Sequence, residues 1–284
     1  MKLEDQMFSL KPYLLEGIHY AIPSNSSPEF RRHISAAIYS YKDDNLNFDN
    51  MHTYLDEMDI NNFNDTELGG AADVCQDTIV RLIDSVKSEL EGIGARQETE
   101  GSLSFVAAFN RLNSSFQSAV ILLRYGYYME ASPVLRMIFE QICWAYHIID
   151  KSKEVIRRTK VTRTVETIKE VNSNYPSFYG TLSKEAHIDF TIINKYLKIT
   201  DEGIAVRTRS GEESRKKTLY LAVLAEMYIR TLYHCVNHKF RLDEMLKIQY
   251  SEVLRAKLRI ARVVIESINN DGSISKKLRY TDRI

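Results

Sequence analysis

The chain has few of the residues that staple or break a fold. Its 284 residues include only 11 Gly, 5 Pro and 3 Cys, and no stretch is of low complexity or repeats internally. Cys75, Cys143 and Cys235 are odd in number and far apart. That excludes a disulfide frame and points to reduced thiols in a cytosolic protein. Charge bias is also missing, with 38 Lys plus Arg against 38 Asp plus Glu. A general nucleic-acid or membrane-surface binder carries a basic excess, so this balance argues against both, although not against a local patch. No run approaches the roughly 20 apolar residues that span a bilayer. The opening Met-Lys-Leu-Glu-Asp lacks the apolar core of a signal peptide. A soluble cytoplasmic protein with no membrane partner is expected. Phosphate-loop, dinucleotide and nucleophile-elbow signatures are absent, as are the nucleic-acid modules with readable patterns. There is no CxxC or HExxH. Cys143 and His147 with His234 and His238, or with Cys235 and His238, have helix-compatible spacing for a metal, but such residues on apolar helices are commonly core. No metal and no cofactor is expected.

What is present is helical periodicity. Phe105, Phe109, Leu112, Phe116, Ala119, Val120 and Leu123 share one arc of a helix over about 103–124. A second face of that helix holds only the small residues Ala107, Ser114 and Ser118. After a turn at Gly126, a helix from about Ala131 to Asp150 is apolar nearly all round. It nevertheless carries Arg136, Glu140, Cys143 and His147 along one line, at spacings of 4, 3 and 4. A helix over 214–238 repeats the pattern, with Glu226, Arg230, Tyr233 and Asn237 on one line of an apolar cylinder. If these two helices run parallel and in register, each Arg faces the other's acid; antiparallel, like faces like.

Around these lie a helix starting at Ser27-Pro28, an Asn/Asp-rich stretch over 43–66 with a helix near 50–58, and an amphipathic helix over 70–90. Residues 1–25 read as an irregular arm. Lys151 to Asn172 reads as a charged helix burying Val161, Val165, Ile168 and Val171. Alternation around Gly203 predicts a β-hairpin over 195–208, Ser210-Gly-Glu-Glu213 is a capping box, and a last helix covers about 243–268. The expected architecture is all-α: a multi-helix bundle over 67–284 with a small hairpin insertion, preceded by an N-terminal helical arm or subdomain over 1–66.

Two groups of residues carry candidate chemistry. Charges retained on apolar helices either form a structural ion-pair network or line a site, which singles out Arg136, Glu140, Glu226 and Arg230. Tyr179, Ser183 and His187 stand four apart, on one face if that stretch is helical. His187 has the side chain whose unperturbed pKa, about 6.5, suits acid–base work. The alternative is a His whose ring nitrogens simply satisfy a neighbouring helix or carbonyl.

The order of elements over about 103–240, with Arg136 and Glu140 four apart and a Tyr-x-x-Leu-Ser-x-x-x-His run (Tyr179, Leu182, Ser183, His187), resembles a bacterial all-helical family of uncharacterised function. That family is similar to the HEPN group, whose active members are ribonucleases of toxin and antiviral systems. The resemblance implies metal-independent RNA cleavage by an Arg and a His in a homodimer. HEPN nucleases place four to six residues between the two on one helix. Arg230 has three before His234 and seven before His238, and Arg136 has ten before His147, so His187 would have to meet Arg136 through space. Two functions are therefore expected to compete. One is a binding or interaction module with a polar Arg136/Glu140/His187 pocket, flanked by Tyr179, Ser183, His147, Glu226 and Arg230 and taking a protein partner or a second copy, in a bacterial defence or toxin-type system. The other is an HEPN-like ribonuclease acting on RNA, with Arg136, His187 and Glu140 catalytic.

Overall fold

The computed structural model describes residues 10–15, 18–23, 26–42, 71–187, 193, 197–200, 203–206 and 210–270. The chain forms two compact units, Met1–Gly69 and Gly70–Ile284, a division slightly later than the one expected at 66. The helix expected near 50–58 lies outside the described residues.

In the first unit, β1 (Leu10–Leu15) and β2 (Ile18–Pro23) pair antiparallel with Tyr13 opposite Tyr20. This corrects the irregular arm. Two six-residue runs separated by Glu16-Gly17 are a hairpin signal that a search for helical periodicity passes over. α1 (Pro28–Lys42) follows, and as expected Ser27 caps it, its hydroxyl accepting from the Phe30 N–H at 3.1 Å.

The second unit is an all-α bundle. Its helices are α2 (Ala71–Ser85), α3 (Lys87–Gly94), α4 (Glu100–Arg124), α5 (Tyr128–Ile148), α6 (Lys153–Arg158), α7 (Tyr175–Ala186), α8 (Gly211–His238) and α9 (Glu244–Asn270). β3 (Leu197–Thr200) and β4 (Gly203–Val206) make the expected hairpin, with Gly203 at φ 133°. Every residue of the predicted α4 arc is buried, Phe105, Phe109, Leu112 and Phe116 completely. α8 is the central helix: α2, α4, α5 and α9 all pack on it, and nearly every residue from Leu219 to Val236 is buried. Phe109 stacks on Tyr228 with ring centroids 4.6 Å apart, and Phe116 meets the same ring edge-on.

Two close approaches fix the topology. Gly126, at φ 77°, turns α4 into α5. Its carbonyl also accepts from the Ser210 N–H at 3.0 Å, tying the start of α8 to that turn. Only half of the predicted capping box therefore forms: the Ser210 hydroxyl accepts from the Glu213 N–H, while the Ser210 N–H goes to Gly126. At the other end of the α4–α5 pair, a Cβ on Gly101 would lie 2.5 Å from the Ile148 carbonyl oxygen, so only Gly lets these helix ends touch.

The charged helix expected over 151–172 is not continuous. α6 ends at Arg158, and 3₁₀ segments follow at Val161–Arg163 and Val165–Glu170. The hydroxyls of Thr159, Thr164 and Thr167 donate to the carbonyls of Val155, Val161 and Thr164 at 2.6–2.8 Å. Threonines competing in this way for backbone acceptors favour tighter turns over a regular helix. Val165 and Ile168 are buried as expected, whereas Val161 and Val171 are only partly so.

Candidate functional site

α5 and α8 run parallel. Their starts meet at Gly126 and Ser210, and near their ends Tyr146 lies 3.2 Å from His234. α7 runs antiparallel to both. Its Tyr175 reaches Glu226 and its Glu185 reaches Lys217 and Tyr220 on α8, while Tyr179 and His187 reach Glu140 and Arg136 on α5. Pro176 opens α7 in its first turn, where a missing N–H is tolerated. Tyr175, Tyr179 and Ser183 fall on successive turns, so one short helix serves two charged lines.

The first cluster is centred on Arg136. Its Nε donates to Glu140 Oε1 at 2.8 Å, its Nη1 lies 2.7 Å from His187 Nε2, and its Nη2 donates to the Tyr179 oxygen at 3.2 Å. The Tyr179 hydroxyl donates to the same Glu140 oxygen at 2.7 Å. A guanidinium only donates, so His187 Nε2 is the acceptor in this contact. His187 follows the last residue of α7 in extended backbone and is exposed. Partial burial works against the Arg136 charge, but Glu140 and then Tyr179 outweigh it and hold its pKa above the ordinary value. Burial, reinforced by donation to Glu140, raises the Tyr179 pKa and keeps its proton in place. Among the described residues three of the five guanidinium N–H groups are used, the Arg136 side chain is 20% exposed, and Ser183 lies one turn beyond Tyr179 on α7.

The second cluster looks alike in sequence and differs in setting. Arg230 donates through Nε at 2.6 Å and through Nη2 to one oxygen of Glu226, whose other oxygen accepts from the Tyr175 hydroxyl at 2.6 Å. Glu226 is 3% exposed and Tyr175 is fully buried. The expectation that parallel packing would set each Arg against the other helix's acid is therefore corrected. Both pairs close within their own helices, because i,i+4 spacing already supplies a partner, and α7 tyrosines complete them.

His147 does not join either cluster. It lies eleven residues beyond Arg136, roughly 16 Å along the helix, and is partly buried. Among the described residues no three His, Cys, Asp or Glu come together in a way that holds a metal ion, and all three cysteines are buried and outside any disulfide. Three participants escaped the sequence reading: Tyr175, Glu185 and the 5%-exposed Lys217. Tyr175 was within reach, since one further step of four back from Tyr179 finds it. Nothing marked Lys217, which sits in the polar first turns of α8.

The fold and these clusters define an all-α bundle with one closed and one partly open Arg–Glu–Tyr cluster. No protein-family model, no curated protein and no solved structure matches the chain. No helix among the described residues is long and apolar enough to cross a membrane.

Proposed function

We propose that the protein is a binding module of a bacterial defence or toxin-type system, which uses Arg136, His187 and Ser183 to hold an anionic group, a carboxylate or phosphate, carried by a protein partner. The observation that carries this reading is the contrast between the two clusters. The Glu226 carboxylate that holds Arg230 is 3% exposed and closed off by Tyr175, whereas Glu140 is 17% exposed and the Arg136 guanidinium reaches the exposed His187 and, among the described residues, has N–H groups that no hydrogen bond uses. Glu140 and Tyr179 orient the guanidinium, and a planar fork held in place is suited to bidentate recognition of an oxyanion. Titration with inorganic phosphate and with an acidic peptide, followed through the Arg136 side-chain NMR signals, tests it. Saturable shifts that vanish in His187→Ala are expected. Their absence for both probes refutes the reading.

A second reading, the HEPN-like ribonuclease, is supported by the 2.7 Å contact between Arg136 and His187, which brings together two residues 51 positions apart. There His187 would be the acid–base group and Arg136 would stabilise the phosphorane. Incubating wild type, Arg136→Ala and His187→Ala with total RNA and a chelator decides it. Cleavage by wild type alone, with both variants folded, supports the nuclease; no cleavage by any of them rejects it.

A further inference from the structure

α9 has two apolar faces, and among the described residues only one of them is packed against other elements. Leu254, Leu258, Ala261, Val264, Ile265 and Ile268 are buried, where the helix packs on α8 and α2. The opposite face of a surface helix is normally polar. Here Met245, Ile248, Ile260 and Val263 are 76%, 59%, 46% and 59% exposed. With Glu252 and Ala256 between them, their spacings of 3, 4, 4, 4 and 3 place all six along one arc of the helix, and Val253 flanks it. From Met245 to Val263 the line runs for roughly 27 Å. A continuous apolar line of this kind on an outer helix marks an interaction surface.

The charges on the same arc say what covers it. Glu252 and Arg259 are exposed and lie two turns apart, roughly 10 Å along the axis, too far to bond each other within the helix. Neither makes an ion pair or hydrogen bond among the described residues. The face is self-complementary. When two copies of the helix run antiparallel about a two-fold axis between the levels of Arg255 and Ala256, Glu252 stands opposite the partner's Arg259 and Ile248 opposite the partner's Val263. The two-fold repeats each pairing, so both acids find a base and the small Ala256 lets the helices approach at the axis. An isologous interface requires this kind of match of a surface with itself. We infer that the outer face of α9 is a homodimer interface, closed by two Glu252–Arg259 ion pairs between copies.

Sedimentation velocity of the full chain over a range of concentrations tests the inference. Wild type is expected to be dimeric. Glu252→Arg and Arg259→Glu each set like charges opposite one another and should weaken association at least tenfold, with the far-UV circular dichroism unchanged because neither side chain holds the protomer together. An equimolar mixture of the two variants places opposite charges across both pairs again and should restore a dimer. A wild type that stays monomeric at every concentration overturns the inference, whether the face is bare or covered by the N-terminal unit. So does either variant dimerising as tightly as wild type, or a mixture that remains monomeric.

Discussion

Replacing Arg230 by Met separates a buried ion pair from its exposed look-alike. In the native protein the Glu226 carboxylate is 3% exposed, with Arg230 on one oxygen and Tyr175 on the other. Removing the guanidinium leaves a buried charge with one hydroxyl donor, and breaking such a pair from one side costs about 3–5 kcal/mol. At about 2–4 °C per kcal/mol for a unit of 150–250 residues, the melting temperature falls by roughly 6–20 °C. Arg136→Met removes a chemically identical i,i+4 pair, but Glu140 is 17% exposed and water replaces part of what is lost. The cost there is about 1 kcal/mol, near the upper end for exposed pairs. Adding Glu226→Gln to Arg230→Met removes the orphaned charge and should recover more than half of the loss, because the two effects are not additive. Thermal melts and urea titrations of the four proteins give these differences. Equal losses for Arg136→Met and Arg230→Met would refute the argument that burial sets the roles of the two clusters.

Two glycines should respond in opposite directions. Gly101→Ala forces a Cβ against the backbone of Ile148 and Ile149 and should cost about 1–3 kcal/mol. Gly180→Ala, with nothing within 4 Å of the new Cβ, should stabilise α7 by about 0.5–1 kcal/mol; urea midpoints measure both. Burial, then the nearby His238 and Lys239, lowers the pKa of His234 below its ordinary 6.5. A lowered folded value means that the unfolded chain takes the proton first. Stability is therefore full above pH 6.5 and declines as the pH falls from there through the folded value. His234→Gln should flatten that slope in urea titrations on either side of 6.5. Finally, Cys143 and Cys235 are fully buried and burial raises both thiol pKa values. Thiol titration should find them unreactive until the protein is denatured.

Where one period dominates, the sequence was read correctly. The α4 arc is the clearest case, since seven apolar residues at helical spacing allow one buried face and all seven lie in the core. The β3–β4 hairpin is legible from alternation around a Gly, whereas the two short runs on either side of Gly17 are too brief for their period to distinguish strand from irregular chain. Lys151–Asn172 was misread for a different reason. Its apolar residues do recur at helical spacing, but threonine hydroxyls bonding to the chain behind them tighten the turns, and side-chain competition for the backbone leaves no trace in a hydrophobic pattern.

The two Arg–Glu lines show where local pattern stops being informative. Both read as charged pairs on apolar helices, and both are i,i+4 pairs completed by a tyrosine of α7. Their difference is global. Glu226 and Arg230 are on the helix that α2, α4, α5 and α9 surround, so Glu226 is buried. Arg136 and Glu140 are on α5 where the C-terminal end of α7 leaves the bundle and sets His187 in the open. A carboxylate needs its cation in the first setting merely to be tolerated. In the second, the acid and the tyrosine constrain a guanidinium with N–H groups that no hydrogen bond among the described residues uses. Equal spacing therefore supports unequal settings: the Glu226–Arg230 pair joins α7 to α8 through Tyr175, and the Arg136 cluster is the one to which the binding role is proposed.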